Sequence, residues 1–158
     1  MPEQQEPRVK LPPPNHIGIV VKDMDQAMEY YATFGWGPFQ VYELDMKMLG
    51  FIFRGQLGSG RFKVAIAWSG SMVIELFQIL EGETPYTEFQ RVKGEGVHHL
   101  GFQVDDFDKT LAILAQNGIE PTYHGRLLGE GAFAYFSTDK IGGVVFELMN
   151  QFLNFPAA

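Results

Sequence analysis

NHIGIVV at residues 15–21 is answered by HHLGFQV at 98–104. Each stretch alternates as a strand does, and each spends a histidine and a glycine where a buried strand usually carries β-branched residues. The correspondence runs on past the strands. His99 − His16, Gly101 − Gly18, Asp106 − Asp23, Asp108 − Asp25 and Gly118 − Gly35 all equal 83, so strand, turn, helix and stop signal keep step. VIELFQ at 73–78 is echoed in the same way by VFELMN at 145–150. A unit repeated in register marks a fold built from two copies of one module.

Alternation predicts strands over 15–21, 38–44, 61–68 and 71–79 in the first copy. In the second it predicts strands over 97–104, 132–137 and 143–150, with an extended stretch at 119–125. Helices are expected over 25–34 and 108–117. The first has Asp23 or Asp25 at its start and Ala27, Tyr30, Tyr31 and Phe34 along one stripe, with Gly35 as its stop; Gly118 stops the second. The expected fold class is therefore α+β, two tandem βαβββ modules. Residues 15–150 form a single domain, with module one at 15–80, a connector at 81–96 and module two at 97–150. Residues 1–14 hold five of the nine prolines and read as a flexible N-terminal arm. Residues 151–158 read as a C-terminal tail.

Composition narrows the chemistry. The chain has 158 residues and a formal net charge of −7, which disfavours nucleic acid and anionic membranes as partners. It has no cysteine, which excludes disulfides and thiolate metal sites. MPEQQEPRVKLPPP at the start lacks the apolar core of a signal peptide, and no apolar run reaches membrane-spanning length. The expectation is a soluble cytoplasmic protein acting on a small molecule.

The faces of the strands locate the site. His16, Gly18 and Val20 share one face of the first strand, and His99, Gly101 and Gln103 one face of its copy. The opposite faces are wholly apolar and should pack under the helices. Glu75 lies between Val73 and Phe77 on a closing strand, and Glu147 between Val145 and Met149 on the other. An acid in an apolar strand is costly to bury without a partner. Two such acids and two histidines at equivalent places point to one shared site, a His₂Glu₂ set of His16, Glu75, His99 and Glu147. Imidazole and carboxylate together suit one divalent ion (Zn, Ni, Co, Mn or Fe) without choosing among them.

The module order, the paired HIGI and HLGF strands and the paired IEL and FEL strands resemble the vicinal-oxygen-chelate superfamily over about residues 15–150. That superfamily includes glyoxalase I, methylmalonyl-CoA epimerase, extradiol dioxygenases and the fosfomycin and bleomycin resistance proteins. The resemblance implies a cupped, incomplete barrel around a metal held by His16, Glu75, His99 and Glu147. It implies a metal-dependent lyase or isomerase moving a proton next to a carbonyl or thioester, with Glu147 as base and Glu75 opposite it. The substrate would be a thioester or a glutathione adduct. Alternatives within the superfamily are a non-haem iron dioxygenase and a drug- or metabolite-binding protein without chemistry. FQRVKGEGVHHLGF and LLGEGAFAYF resemble the epimerase branch. Ala65 departs from it, standing where some epimerases carry a second catalytic glutamate. A homodimer is expected, because half-barrels leave sheet edges that pairing covers.

Other residues have plainer readings. Strand alternation turns His98 away from His99, to pack near a helix, and the offset of 83 selects His99. His124 reads as a surface residue. The loop GRLLGEG at 125–131 reads as a hairpin loop, with a lid over the substrate as its rival. If the Ala65 and Ala67 face of the third strand looks inward, the hollow stays roomy and Lys63 meets an anionic end of the substrate. Arg54, Arg61 and Arg126 are further anion candidates whose default is solvated surface.

Overall fold

A computed structural model describes residues 9–127 and 131–151. Residues 1–8 of the arm, 128–130 of the loop and 152–158 of the tail lie outside the described residues.

Module one begins with β1 (His16–Val20) and α1 (Met24–Ala32). The Asp23 carboxylate accepts from the Gln26 N–H at 2.9 Å, which decides the cap between the two candidate aspartates. In module two, β7 (Gly96–Gln103) leads to α3 (Phe107–Gln116), and Asp106 caps through the Lys109 N–H at 3.1 Å. Each cap stabilises its helix by about 1 kcal/mol. Gly35 (φ +85°) and Gly118 (φ +75°) follow the helices in the left-handed region, where a glycine ends a helix without strain.

The remaining strands are β2 (Gln40–Asp45), β3 (Ile52–Phe53), β4 (Gln56–Leu57), β5 (Arg61–Ser69) and β6 (Met72–Glu81) in module one. Module two adds β8 (Pro121–Arg126), β9 (Ala132–Phe136) and β10 (Val145–Met149). The sheet order is β2-β5-β6-β1-β7-β10-β9-β8-β3-β4. Within it the two modules are the runs β2-β5-β6-β1 and β7-β10-β9-β8, mirror orders joined by the antiparallel β1–β7 pair. The result is a curled, open half-barrel.

Three apolar layers follow from the alternation. Ile19, Val21, Ile74, Leu76 and Ala65 pack under α1 with Met24. Phe102, Val104, Ala134, Phe136 and Leu148 do the same in module two with Phe107 and, from α3, Leu111 and Leu114. Between them the inner faces of both modules form a shared cluster that includes Val20, Phe62, Val64, Val73, Phe77, Tyr123, Tyr135 and Met149.

Two elements were not expected. The β3–β4 hairpin leaves module one and pairs with β8 of module two, Ile52 opposite His124 and Phe53 opposite Tyr123. It narrows the cup and brings Phe51 into the inner cluster. The connector also folds, as α2 (Thr87–Lys93), whose N-cap residue is Tyr86.

Several expectations are corrected. On β5, Phe62, Val64 and Ile66 face the cup, and Ala65 packs under α1. The reason is register, because directly opposed residues share a face, and Val64 pairs with Phe77 while Ala65 pairs with Leu76. Lys63 therefore shares the convex face of Ala65, and the cup is lined by aromatic rings instead of a roomy alanine face. On α1 the packed residues are Met24, Ala27, Met28 and Tyr31, at i, i+3, i+4 and i+7. Tyr30 and Phe34 stay 60% and 69% exposed. His124 is a half-buried residue of β8. Arg54, Arg61 and Arg126 keep to the solvated surface that was their default reading, in exposed ion pairs with Glu88, with Glu43 and Glu81, and with Asp108 respectively. Among the described residues no helix is long and apolar enough to cross a membrane.

Candidate metal centre

The glycines of the repeated strand explain how histidine and glutamate meet. Across the sheet, Gly18 of β1 stands between Glu75 of β6 and His99 of β7. Gly101 of β7 stands between His16 of β1 and Glu147 of β10. Strands two apart are separated by roughly 9–10 Å of backbone. Each histidine spans that gap by lying across the glycine. A Cβ built on Gly18 would overlap the His99 ring, and one on Gly101 would overlap the His16 ring. The glycine of each module thus makes room for the histidine of the other.

All four side chains arrive at one point. His16 Nε2 is 2.9 Å from Glu147 Oε2 and 3.9 Å from Glu75 Oε2. His99 Nε2 is 3.1 Å from Glu147 Oε2 and 3.3 Å from Glu75 Oε2. One donor atom from each residue lies within 4.8 Å of all the others, in a single chain. Metal bonds of about 2.1 Å place neighbouring donors about 3.0–3.4 Å apart and opposite ones about 4.2 Å apart. The cluster fits after its widest separations close by roughly half an ångström or more. Charge fits as well, because two carboxylates and two neutral imidazoles carry −2, which a divalent cation neutralises. Without compensation, two acids only 5% exposed would cost several kcal/mol each.

The distal nitrogens are held too. His16 Nδ1 is 2.7 Å from Asn15 Oδ1, and the Asn15 amide donates to Gln103 at 3.2 Å. Asn15 Oδ1 can then accept only from His16 Nδ1–H, so Nε2 is the nitrogen that faces Glu147 and would offer its lone pair to an ion.

Sequence reasoning misplaced the face of His98, although the residue packs near a helix as expected, its ring 5.3 Å from that of Phe89 on α2. The β1–β7 register slips after Gly18, which pairs with His99, to Ile19, which pairs with Val97. His98 is the extra residue of a bulge. The bulge turns it beside His99, with ring centroids 5.3 Å apart and Nδ1 atoms 3.0 Å apart. For His99 to offer Nε2 to an ion, its Nδ1–H donates and His98 Nδ1 accepts. His98 in turn donates to the Pro85 carbonyl. Burial, then the charge of His99, brings the His98 imidazole down to about 3, so it stays neutral and able to accept.

The ionisation of the cluster reflects its crowding. Burial opposes charge on His99, but hydrogen bonds and charge from Glu147 and Glu75 outweigh it and raise His99 to about 9. Burial alone would raise Glu147, and the charge and hydrogen bonds of His16 and His99 overcome it, bringing the carboxyl to about 2. Over the cluster, a small cavity of about 40 Å³ is lined by Glu75, Glu147, Tyr86, Tyr123, Tyr135 and apolar side chains. All three tyrosines are driven well above their usual range, first by burial, with the Glu147 charge adding to it. They remain neutral O–H groups at physiological pH. Tyr86 reaches this wall from the connector, where no periodicity advertised it.

A family model described as Glyoxalase/Bleomycin resistance protein/Dioxygenase superfamily matches residues 15–136. That span holds His16, Glu75 and His99, and Glu147 follows it on β10. An uncharacterized protein of Bacillus subtilis (strain 168), YwkD, is 27% identical over 135 residues, 84% of this chain and 94% of that protein. Among solved structures, a variant of Streptomyces coelicolor methylmalonyl-CoA epimerase in complex with 2-nitronate-propionyl-CoA superposes with a TM-score of 0.66. It is 23% identical and covers 89% of this chain and 94% of its own. Methylmalonyl-CoA epimerase from Mycobacterium tuberculosis gives 0.65 at 22% identity, over 90% and 93%. Such distant structures share the fold. With the matched span covering most of the chain and the half-barrel formed as the repeat required, the chain belongs to the glyoxalase/bleomycin resistance protein/dioxygenase superfamily.

Proposed function

We propose that this chain is a divalent-metal-dependent lyase or isomerase that moves a proton at a carbon next to a carbonyl or thioester. The observation that carries the reading is the convergence of four buried donor atoms within 4.8 Å, with both carboxylates also lining the cavity above them. His16, Glu75, His99 and Glu147 would hold the ion, whose Lewis acidity stabilises negative charge on a substrate oxygen. Glu147 takes the proton from carbon and returns it to a neighbouring atom or to the opposite face of the carbon, and Glu75 holds the opposite side of the cluster. The inner faces of β5, β6, β9 and β10 exclude water with Phe62, Phe77, Phe133 and Met149, so charges in the cup are felt strongly.

The substrate is a small molecule, and the small cavity admits its reacting end while any carrier stays outside. An acyl thioester, as in the epimerase complexes of the same fold, is the leading class, and a hemithioacetal adduct of glutathione is the second. Metal-reconstituted protein is incubated with both classes in deuterated water. Deuterium entering one of them supports the reading; metal-loaded protein that exchanges none of them overturns it. Four protein donors in place of two histidines and one carboxylate argue against a dioxygenase. The homodimer belongs to the same proposal, since β2 and β4 end the sheet with Val41 and Leu57 exposed. Sedimentation giving a monomer at micromolar concentration would remove it.

The roles of the adjacent histidines separate in a titration. His99→Ala is expected to abolish tight metal binding. His98→Ala keeps all four donors but frees the His99 ring, and a lost outer partner costs ~10–100-fold in affinity. Metal titration by calorimetry reads both, and an H98A protein weaker than H99A would exchange their assigned roles.

A further inference from the structure

The proton transfer above leaves unused a pair of hydroxyls in the wall of the cup. Tyr86, 1% exposed, and Tyr135, 4% exposed, place their hydroxyl oxygens 2.8 Å apart. Both line the cavity that Glu75 and Glu147 also line. Neither ring is loosely held. Tyr86 stacks on Phe77 at 4.4 Å between centroids, and Tyr135 lies against His99 at 4.9 Å.

Counting protons shows what the pair lacks. Two phenols bring two O–H donors, and the bond between them uses one. Among the described residues the hydroxyls bond to each other and to no third group. One O–H is therefore left for whatever occupies the cavity. Phenylalanine at either position would fill nearly the same volume without a polar atom to satisfy, and a buried hydroxyl with no acceptor is destabilising. The arrangement gains only if an acceptor comes to it.

We propose that the Tyr86–Tyr135 pair donates a hydrogen bond to an oxygen of the bound substrate, on the side of the cup facing the metal cluster. The pair then selects compact substrates with an oxygen on or beside the reacting carbon and an apolar remainder, which the rings of Phe62, Phe77 and Phe133 receive. This inference rests on the enolate reading for its catalytic meaning, but its ligand contact is testable without turnover.

The probe is acetohydroxamate, a small planar molecule with adjacent oxygens, titrated by calorimetry into the zinc-reconstituted full chain. Tyr86→Phe, Tyr135→Phe and the double variant are compared with wild type, with metal content measured for each. The double variant is expected to hold zinc at wild-type stoichiometry and to bind the probe ~10-fold or more weakly, the scale of one hydrogen bond to a charged group. Equal affinity in wild type and double variant, or no binding to wild type, overturns the proposal. If the double variant does not fold, the two single variants carry the test, and wild-type affinity in both overturns it. Weaker probe binding in a protein that exchanges no thioester or hemithioacetal would sink the enolate reading and leave the hydroxyl pair standing. Unchanged probe binding in a chain that does exchange would do the reverse.

Discussion

Gly101→Ala is expected to remove His16 from the cup and with it tight metal binding, while the half-barrel itself survives. Gly101 does not have a positive φ, so alanine is conformationally allowed there and only space is lacking. The added methyl falls on the imidazole of His16, which is fully buried and lies across Gly101 toward Glu147. A surface side chain would swing aside. His16 cannot do so without leaving its bonds to Asn15 and Glu147. Overpacking of this kind costs about 1–3 kcal/mol. Metal affinity should fall by more than the ~10–100-fold of a lost outer partner, because a donor atom is displaced. Gly18→Ala should act in the same way on His99. A double-mutant cycle isolates the cause, since in a His16→Ala background the methyl at 101 meets no ring and its stability cost should largely vanish. Thermal unfolding and metal titration of the four proteins check this. A stability cost at 101 that is unchanged without the imidazole would mean that the glycine serves the strand pairing and not the site.

That expectation was half legible in the sequence. The offset of 83 identified the two histidines and the two glycines, and alternation put them on one face with the glutamates. What it lacked was the pairing of β1 with β7, which sets each glycine under the other module's histidine. Only the register of two strands far apart in the chain supplies that. The same limit left the face of β5 open. In Phe62-Lys63-Val64-Ala65-Ile66 the large and small residues alternate cleanly, so either face fits a cup, and the pairing with β6 decides. His98 was misread for a different reason. A bulge breaks the period of two on which the face assignment rested, and two histidines in a row give no sign of where it falls. The β3–β4 hairpin turns at Arg54-Gly55, with φ of +51° and +78°, without the Asn-Gly signal usual for such turns. The connector helix spans seven residues and has no side-chain cap, so neither length nor punctuation announced the Tyr86 it carries.

Glu147→Gln separates proton transfer from metal binding. The two glutamates are not equivalent in the folded chain. Glu147 lies within 3.1 Å of both histidine Nε2 atoms, whereas Glu75 is 3.3 Å from one and 3.9 Å from the other. Charge and hydrogen bonds from those imidazoles hold Glu147 well below the usual carboxylate range, which leaves it a poor base near neutral pH. With both Nε2 lone pairs given to a cation, neither ring has a proton for Glu147. Burial then pushes its carboxyl up while the cation's charge pulls it down, and a carboxylate loosened toward the cavity regains proton affinity. Glutamine keeps the shape and one oxygen donor but accepts no proton. The variant should retain metal at reduced affinity and lose carbon–hydrogen exchange by ~10²–10⁴-fold, the contribution of a general base. Glu75→Gln, further from the histidines, should be milder. Deuterium incorporation into the substrate, measured beside metal content, decides between them. Exchange at the wild-type rate in metal-loaded Glu147→Gln would pass the role to Glu75, the remaining carboxylate in the wall of the cavity.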